Sequence, residues 1–118
     1  MDNRGQGPRL CVEVIIKTEA GTLLIREGDK WIIPGGEVLH GEVLADAVRR
    51  IARDEAGVEI MVEKVLGYIE YPEKDNVRGL GWSVGIAFEA KITGGKLKGQ
   101  IFKDLPEEMI WEQKEFLT

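Results

Sequence analysis

A single cysteine, a single histidine and the absence of any long apolar run set the first limits on this 118-residue chain. Cys11 has no partner for an intrachain disulfide, which fits a reducing compartment. In the run Leu10-Cys11-Val12 its expected role is that of a small buried core residue rather than a nucleophile. No apolar segment approaches the ~20 residues that cross a bilayer, and the start Met1-Asp2-Asn3-Arg4-Gly5 has no apolar signal-peptide region. A soluble, cytoplasmic protein is expected. Basic residues are in the minority, 16 Lys and Arg against 21 Asp and Glu, for a net charge of −5. That argues against a protein that grips nucleic-acid backbones, which takes clustered cations. A small anion is still admissible where a metal bridges the repulsion. Repeats, low-complexity tracts and linkers are missing too, so a single domain over residues 1–118 is expected, and 43% hydrophobic residues suffice for one core.

After a polar, flexible lead over residues 1–8, the apolar run from Leu10 to Ile16 reads as a strand, and Glu19-Ala20-Gly21 turns the chain into a second, Thr22 to Arg26. A third short run, Lys30 to Ile33, stops at Pro34-Gly35-Gly36, where proline and two glycines break regular structure. From Glu42 the period becomes helical: Leu44, Ala47, Val48 and Ile51 recur at spacings of three and four, and Gly57 stands where a helix stops. Val58 to Tyr71 and Gly81 to Ile92 are rich in β-branched and aromatic residues, with a charged loop between them and another over Thr93 to Gly99. Met109-Ile110-Trp111 suggests a last strand. For Trp31, Tyr68, Tyr71, Trp82 and Trp111, core packing is expected over stacking on a base or sugar.

Leu44, Val48 and Ile51 define an apolar helical stripe, and Glu55, four residues past Ile51, falls in the middle of it. A carboxylate placed there must shift its pKa, find a cation or coordinate a metal. The plainer alternative is that Glu55 reaches water at the helix end while Arg50 and Asp54 form an ordinary i,i+4 pair. The glycine turn upstream favours the first view, because backbone N–H groups at a Gly-Gly turn can approach phosphates closely. Paired acids and a phosphate-sized turn on one element suggest chemistry in which an oxygen-ligated Mg²⁺ is shared between carboxylates and a diphosphate.

Gly36, Glu42, Arg50 and the run Ile51-Ala52-Arg53-Asp54-Glu55-Ala56-Gly57-Val58 resemble the Nudix box, G-x5-E-x7-R-E-U-x-E-E-x-G-U with U a bulky apolar residue, over residues 36–58. Leu23-Leu24-Ile25-Arg26 followed by Trp31-Ile32-Ile33-Pro34-Gly35-Gly36 is similar to the strand, arginine and W-x-x-P-G-G approach of that family. The resemblance to MutT-like Nudix hydrolases implies an α/β (α+β) fold, a Nudix α/β/α sandwich around a mixed central sheet. It implies that Glu42 and Arg50 hold the loop and helix together by ion pairing. Asp54 and Glu55 would be metal ligands for Mg²⁺ or Mn²⁺, with the Gly36 carbonyl as a third. Arg26, Gly35 and Gly36 would meet phosphate.

Two positions depart from the family pattern. The acid after the arginine is Ile51, and the first acid of the E-E pair is shortened to Asp54, which still offers an oxygen ligand. Loss of a general base typically costs about 10²–10⁴-fold in rate. Three readings follow. Glu107 or Glu108 substitutes as the catalytic acid. The chain resembles the GDP-mannose mannosyl hydrolase branch, which uses a histidine that His40, within the box loop, does not match in position. Or the domain binds a nucleotide without turning it over. Hydrolysis of a nucleoside diphosphate linked to another group, a sugar nucleotide among the candidates, ranks first, with Glu55, Arg50 and Glu42 in the machinery. Relatives usually add a C-terminal helix after the strand at Trp111, which this chain is expected to lack. Either the chain is cut short or a partner covers that face, so a homodimer is expected.

Overall fold

The computed structural model describes residues 7–118. Of the expected lead, Gly7 and Pro8 are exposed and outside any strand, and the rest lies outside the described residues. Strands β1 (Arg9–Thr18), β2 (Gly21–Glu27), β3 (Lys30–Ile32) and β4 (Gly35–Glu37) precede helix α1 (Leu44–Ala56). Then come β5 (Val58–Tyr71), two short 3₁₀ turns, β6 (Ser83–Gly95), β7 (Gln100–Phe102) and helix α2 (Trp111–Leu117). The seven strands form one mixed sheet, ordered β3-β2-β1-β6-β5, with β4 paired to β1 and β7 to β2.

Strand β1 lies inside the sheet, parallel to β6 from Arg9 opposite Ser83 to Ile16 opposite Ala90. Both its faces are covered, which is why it reads as a continuous apolar run rather than an alternation. Val12, Val14 and Ile16 point into a core shared with Ala47, Val48, Ile51, Ala52 and Ala56 of α1. Ile15 points the other way, into a second core with Tyr71, Ile69, Met109 and, at its border, Phe116 and Leu117 of α2. One helix on each face of a mixed sheet is the sandwich expected from the sequence. The alanines of α1 let it sit close to the sheet, and Gly57, at φ 72°, ends it in a left-handed turn that caps the Ala52 and Arg53 carbonyls.

Five expectations are corrected. Gly35-Gly36 is not a break: these residues form β4, antiparallel to β1, with Val12 opposite Gly36 and Glu13 opposite Gly35. Met109 to Trp111 is not a strand: Met109 makes one isolated bridge to Trp31, and Trp111 begins α2. The C-terminal helix is therefore present, and because α2 occupies its face of the sheet, the ground for expecting a covering partner there falls away. The glycine-rich loop after β6 is shorter than expected, since β6 runs to Gly95 and Gln100–Phe102 adds β7. Tyr71 is fully buried, as expected for a core aromatic, but Tyr68 is 63%, Trp82 43% and Trp111 68% exposed.

Candidate active site

The loop between β4 and α1 is tied down before any ligand arrives. Arg50, on the second turn of α1, donates through Nε to Glu42 Oε2 at 2.8 Å and through Nη2 to Glu42 Oε1 at 2.9 Å. The same Nη2 reaches the Glu37 carbonyl at 3.0 Å, while Glu42 Oε1 also accepts the Leu39 N–H at 3.0 Å. The Arg50 guanidinium and the Leu39 N–H hold the Glu42 carboxyl down at about 2. This bidentate ion pair is the one implied for Glu42 and Arg50. The alternative pairing of Arg50 with Asp54 is not formed.

At the far end of α1, Glu55 is half-buried and its Oε1 accepts the Gly35 N–H at 3.0 Å. Burial pushes its carboxyl pKa up, and the Gly35 N–H and the Arg78 charge pull against that. Glu27, at the end of β2, adds to the upward push, ahead of neighbouring Asp54. The stripe position that made Glu55 unusual is thus resolved by a backbone donor. That donor is consequently not free for phosphate, which corrects the expected binding role of Gly35. Both glycines are required by close packing. A Cβ on Gly35 would come within 2.5 Å of Arg78 Nη2 and 2.7 Å of the Val12 carbonyl oxygen. One on Gly36 would lie 2.7 Å from Ile51 Cδ1. Ile51, 5% exposed, is a core residue wedged under the strand whose carbonyl the family resemblance offers to the metal.

Asp54 and Glu55 share a cleft of about 440 Å³ with Arg26, Trp31, Gly99 and Gln100. The Arg26 guanidinium carbon sits 5.2 Å from the centre of the Trp31 ring and its Nε donates to the Gly28 carbonyl at 3.1 Å, which fixes a cation on one wall. Glu107 and Glu108 are exposed and do not line this cleft, although the Glu108 carbonyl accepts the Trp31 N–H at 2.8 Å. His40 is exposed in the loop before α1 and does not line it either, which leaves the glycosyl-cleavage reading without its base. Two carboxylates, one with an oxygen already oriented by an N–H and the other exposed, make an oxygen-only donor set of the kind that holds a hard divalent cation with help from substrate oxygens. Among the described residues no cluster of three acids, histidines or cysteines is close enough to hold a metal without that help.

Behind the cleft, on the α2 side of the sheet, lies a polar network that the sequence reading missed. Arg78 Nη1 donates to Glu13 Oε1 at 2.9 Å and Nη2 to the Ile33 carbonyl at 2.9 Å. Tyr71 Oη donates to Glu13 Oε1 at 3.1 Å, and Gln113 Nε2 to Tyr71 Oη at 2.9 Å. Burial raises the Glu13 pKa against the opposing pull of Arg78. The one signal available was a glutamate in the middle of an otherwise apolar strand.

Comparison with known proteins agrees with this architecture. The NUDIX domain family model matches residues 7–111. The low-salt glycan biosynthesis protein Agl8 of Haloferax volcanii is 33% identical over 99 residues, covering 77% of this chain and 64% of its own. An ADP-ribose pyrophosphatase of Methanocaldococcus jannaschii is 31% identical over 96 residues, 77% of this chain and 55% of that one. The chain thus spans less than two thirds of either relative. Among solved structures, a MutT protein from Methanosarcina mazei Go1 superposes with a TM-score of 0.74 at 19% identity, covering 94% of this chain and 91% of that one. A UDP-X diphosphatase superposes with a TM-score of 0.69 at 22% identity, covering 93% and 61%. At such identities these structures speak for the fold alone.

Proposed function

Because this chain belongs to the NUDIX family, we propose that it hydrolyses a nucleoside diphosphate linked to a second group, with Mg²⁺ or Mn²⁺ at Asp54 and Glu55. The observation that carries this reading is the shared cleft in which two adjacent carboxylates face a fixed cation, Arg26. The relatives' names, an ADP-ribose pyrophosphatase and a UDP-X diphosphatase, are in keeping with a diphosphate substrate and make a sugar nucleotide the first compound to try.

In this reading each side chain has a stated task. Gly35 N–H holds Glu55 Oε1, so the other carboxylate oxygen turns to the cleft. Arg50 and Glu42 hold the end of β4 against α1, and with it Gly36, whose carbonyl would add a third oxygen to the ion's ligands. Arg26 attracts the diphosphate, and Trp31 offers a flat wall. A divalent ion, when bound, neutralises phosphate charge and makes water a better nucleophile. The water oxygen bonds to one phosphorus as the bridging P–O bond breaks, the leaving phosphate keeps the electron pair, and a carboxylate takes the proton. Ile51 cannot take it, so the acceptor comes from outside the usual position: Glu27, at the end of β2 beside Arg26, is the first candidate, and Glu107 and Glu108, which stand outside the cleft, serve only if their loop moves in.

Incubation with Mg²⁺ and a panel of nucleotide sugars, nucleoside triphosphates and dinucleotides tests this. Turnover lost in Glu55→Gln supports the enzyme, and parallel Glu27→Gln, Glu107→Gln and Glu108→Gln variants identify the proton acceptor. Absence of turnover with measurable nucleotide binding would establish the second reading, a binding module, which Ile51 favours by filling the base's place with a methyl group.

A further inference from the structure

We infer that Arg78 is a positioning residue for Glu55, acting through the Ile33-Pro34-Gly35 backbone from the opposite face of the sheet. This rests on the reading of Asp54 and Glu55 as the metal-binding acids. Arg78 belongs to the loop between β5 and β6, and it is one of two described non-glycine residues with positive φ, at 57°. Such a backbone is strained for a residue with a side chain and persists only where the surroundings impose it. What imposes it is the side chain, 8% exposed, which runs inward to the carboxylate of fully buried Glu13.

Ile33 is held at both polar groups. Its carbonyl accepts Arg78 Nη2 at 2.9 Å, and its N–H donates to Gln113 Oε1 at 2.7 Å. Gln113 is in turn anchored to Tyr71 Oη and to Glu13 Oε2, at 2.9 and 3.3 Å. Two residues on, Gly35 rests against the guanidinium on one side and donates its N–H to Glu55 on the other. Any side chain at Gly35 would separate the two, and any at Gly85 would displace Glu13, since a Cβ there would lie 2.6 Å from Glu13 Oε1.

Stability alone does not account for this arrangement. A buried ion pair roughly breaks even with well-packed apolar side chains of the same volume. Four polar side chains, Glu13 of β1, Tyr71 of β5, Arg78 of the β5–β6 loop and Gln113 of α2, instead form one network on the three-residue stretch whose last N–H orients a carboxylate of the cleft. The result is a rigid backing for Glu55, of the kind whose loss from around a metal site weakens binding or activity by about 10–100-fold.

The test uses the full chain as Arg78→Lys, and as Arg78→Met combined with Glu13→Gln, which removes both charges so that neither is left buried alone. In metal-free protein, amide hydrogen exchange at Gly35 is read by NMR against Ala90 of β6, which is remote from Arg78. Mn²⁺ alone is titrated by EPR, and kcat and KM are measured on whichever panel compound is turned over. The expected result for the double variant is Gly35 exchange faster by about tenfold with Ala90 unchanged, Mn²⁺ affinity down by about tenfold, and a loss in kcat with little change in KM. Arg78→Lys should recover part of each. Equal acceleration at Gly35 and Ala90, or a folded variant with wild-type Gly35 exchange, overturns the proposal. If the double variant does not fold, the same comparison of Gly35 with Ala90 in Arg78→Lys decides the matter. Should the wild type bind no Mn²⁺, the metal reading fails while the exchange measurement still decides the role of Arg78.

Discussion

Replacing Ile51 by glutamate sets the core and the cleft against each other. The side chain is 5% exposed and packs with Val48 and Ala52 under the sheet, so its removal forfeits about 2 kcal/mol of apolar burial. The incoming carboxylate lies against Gly36, where the guanidinium of Arg50 is already paired with Glu42, which adds about 1–3 kcal/mol for an unsatisfied buried group. Together these lower stability by about 4 kcal/mol, on the order of 15 °C in Tm for a domain of this size. A divalent ion shared with Asp54 and Glu55 would offset about 2.7 kcal/mol of this at a hundredfold excess over its Kd. Thermal unfolding followed by circular dichroism should therefore show a deep drop for Ile51→Glu in EDTA and recovery of more than half of it in Mn²⁺. Ile51→Gln should drop as far and recover little. The pH dependence has a fixed sign. A carboxyl whose folded pKa is raised above its unfolded value of about 4.3 is stabilised by protonation, so the metal-free deficit shrinks as pH falls toward 5. If Mn²⁺ stabilises the two variants equally, or Ile51→Glu is as stable as wild type in EDTA, position 51 does not face the metal-binding end, and the explanation of its missing acid is wrong.

Gly36→Ala brings a Cβ to 2.7 Å from Ile51 Cδ1 and should destabilise by about 1–3 kcal/mol in urea unfolding, with most of the loss restored by Ile51→Val in the same chain. Gln113→Leu leaves the buried Ile33 N–H without its 2.7 Å acceptor and should lower stability by about 1–3 kcal/mol, although the substitution is apolar for polar in a core. The Glu42 carboxyl is held at about 2, below its unfolded value, so its contribution is present at neutral pH and drains away as pH falls from about 4.3 toward 2. Glu42→Gln should flatten that part of the stability profile, measured by denaturant titration at a series of pH values, and leave the limb above pH 6 parallel to wild type.

What was legible in the sequence is what local spacing records. The helical period from Leu44 to Ile51, the stop at Gly57 and the apolar run of β1 each survive as α1 and β1. The ion pair of Glu42 and Arg50 followed from the resemblance and is formed at 2.8 Å. Tertiary contact hid the remainder. Gly35-Gly36 reads as a turn by propensity, yet it is a strand because β1 supplies its hydrogen bonds, while Ile51 and Arg78 press too close for side chains. Trp111 reads as a strand residue by composition, and becomes helical in a segment whose Phe116 and Leu117 pack on the second core. Arg78 and Glu13 are 65 residues apart, and Gln113 and Glu13 are 100 apart. Polar pairs at that separation leave no periodicity to find.

Cys11 lies at the centre of the sheet, between β4 and β6, with no exposed surface and a thiol pushed by burial up to about 11. Only a thiolate reacts with disulfide reagents, and this one forms only when the middle of the sheet parts. The protein therefore carries its own stopwatch: the rate at which such a reagent modifies the one cysteine reports the parting of β1 from β4 and β6, with no label, added tryptophan or denaturant.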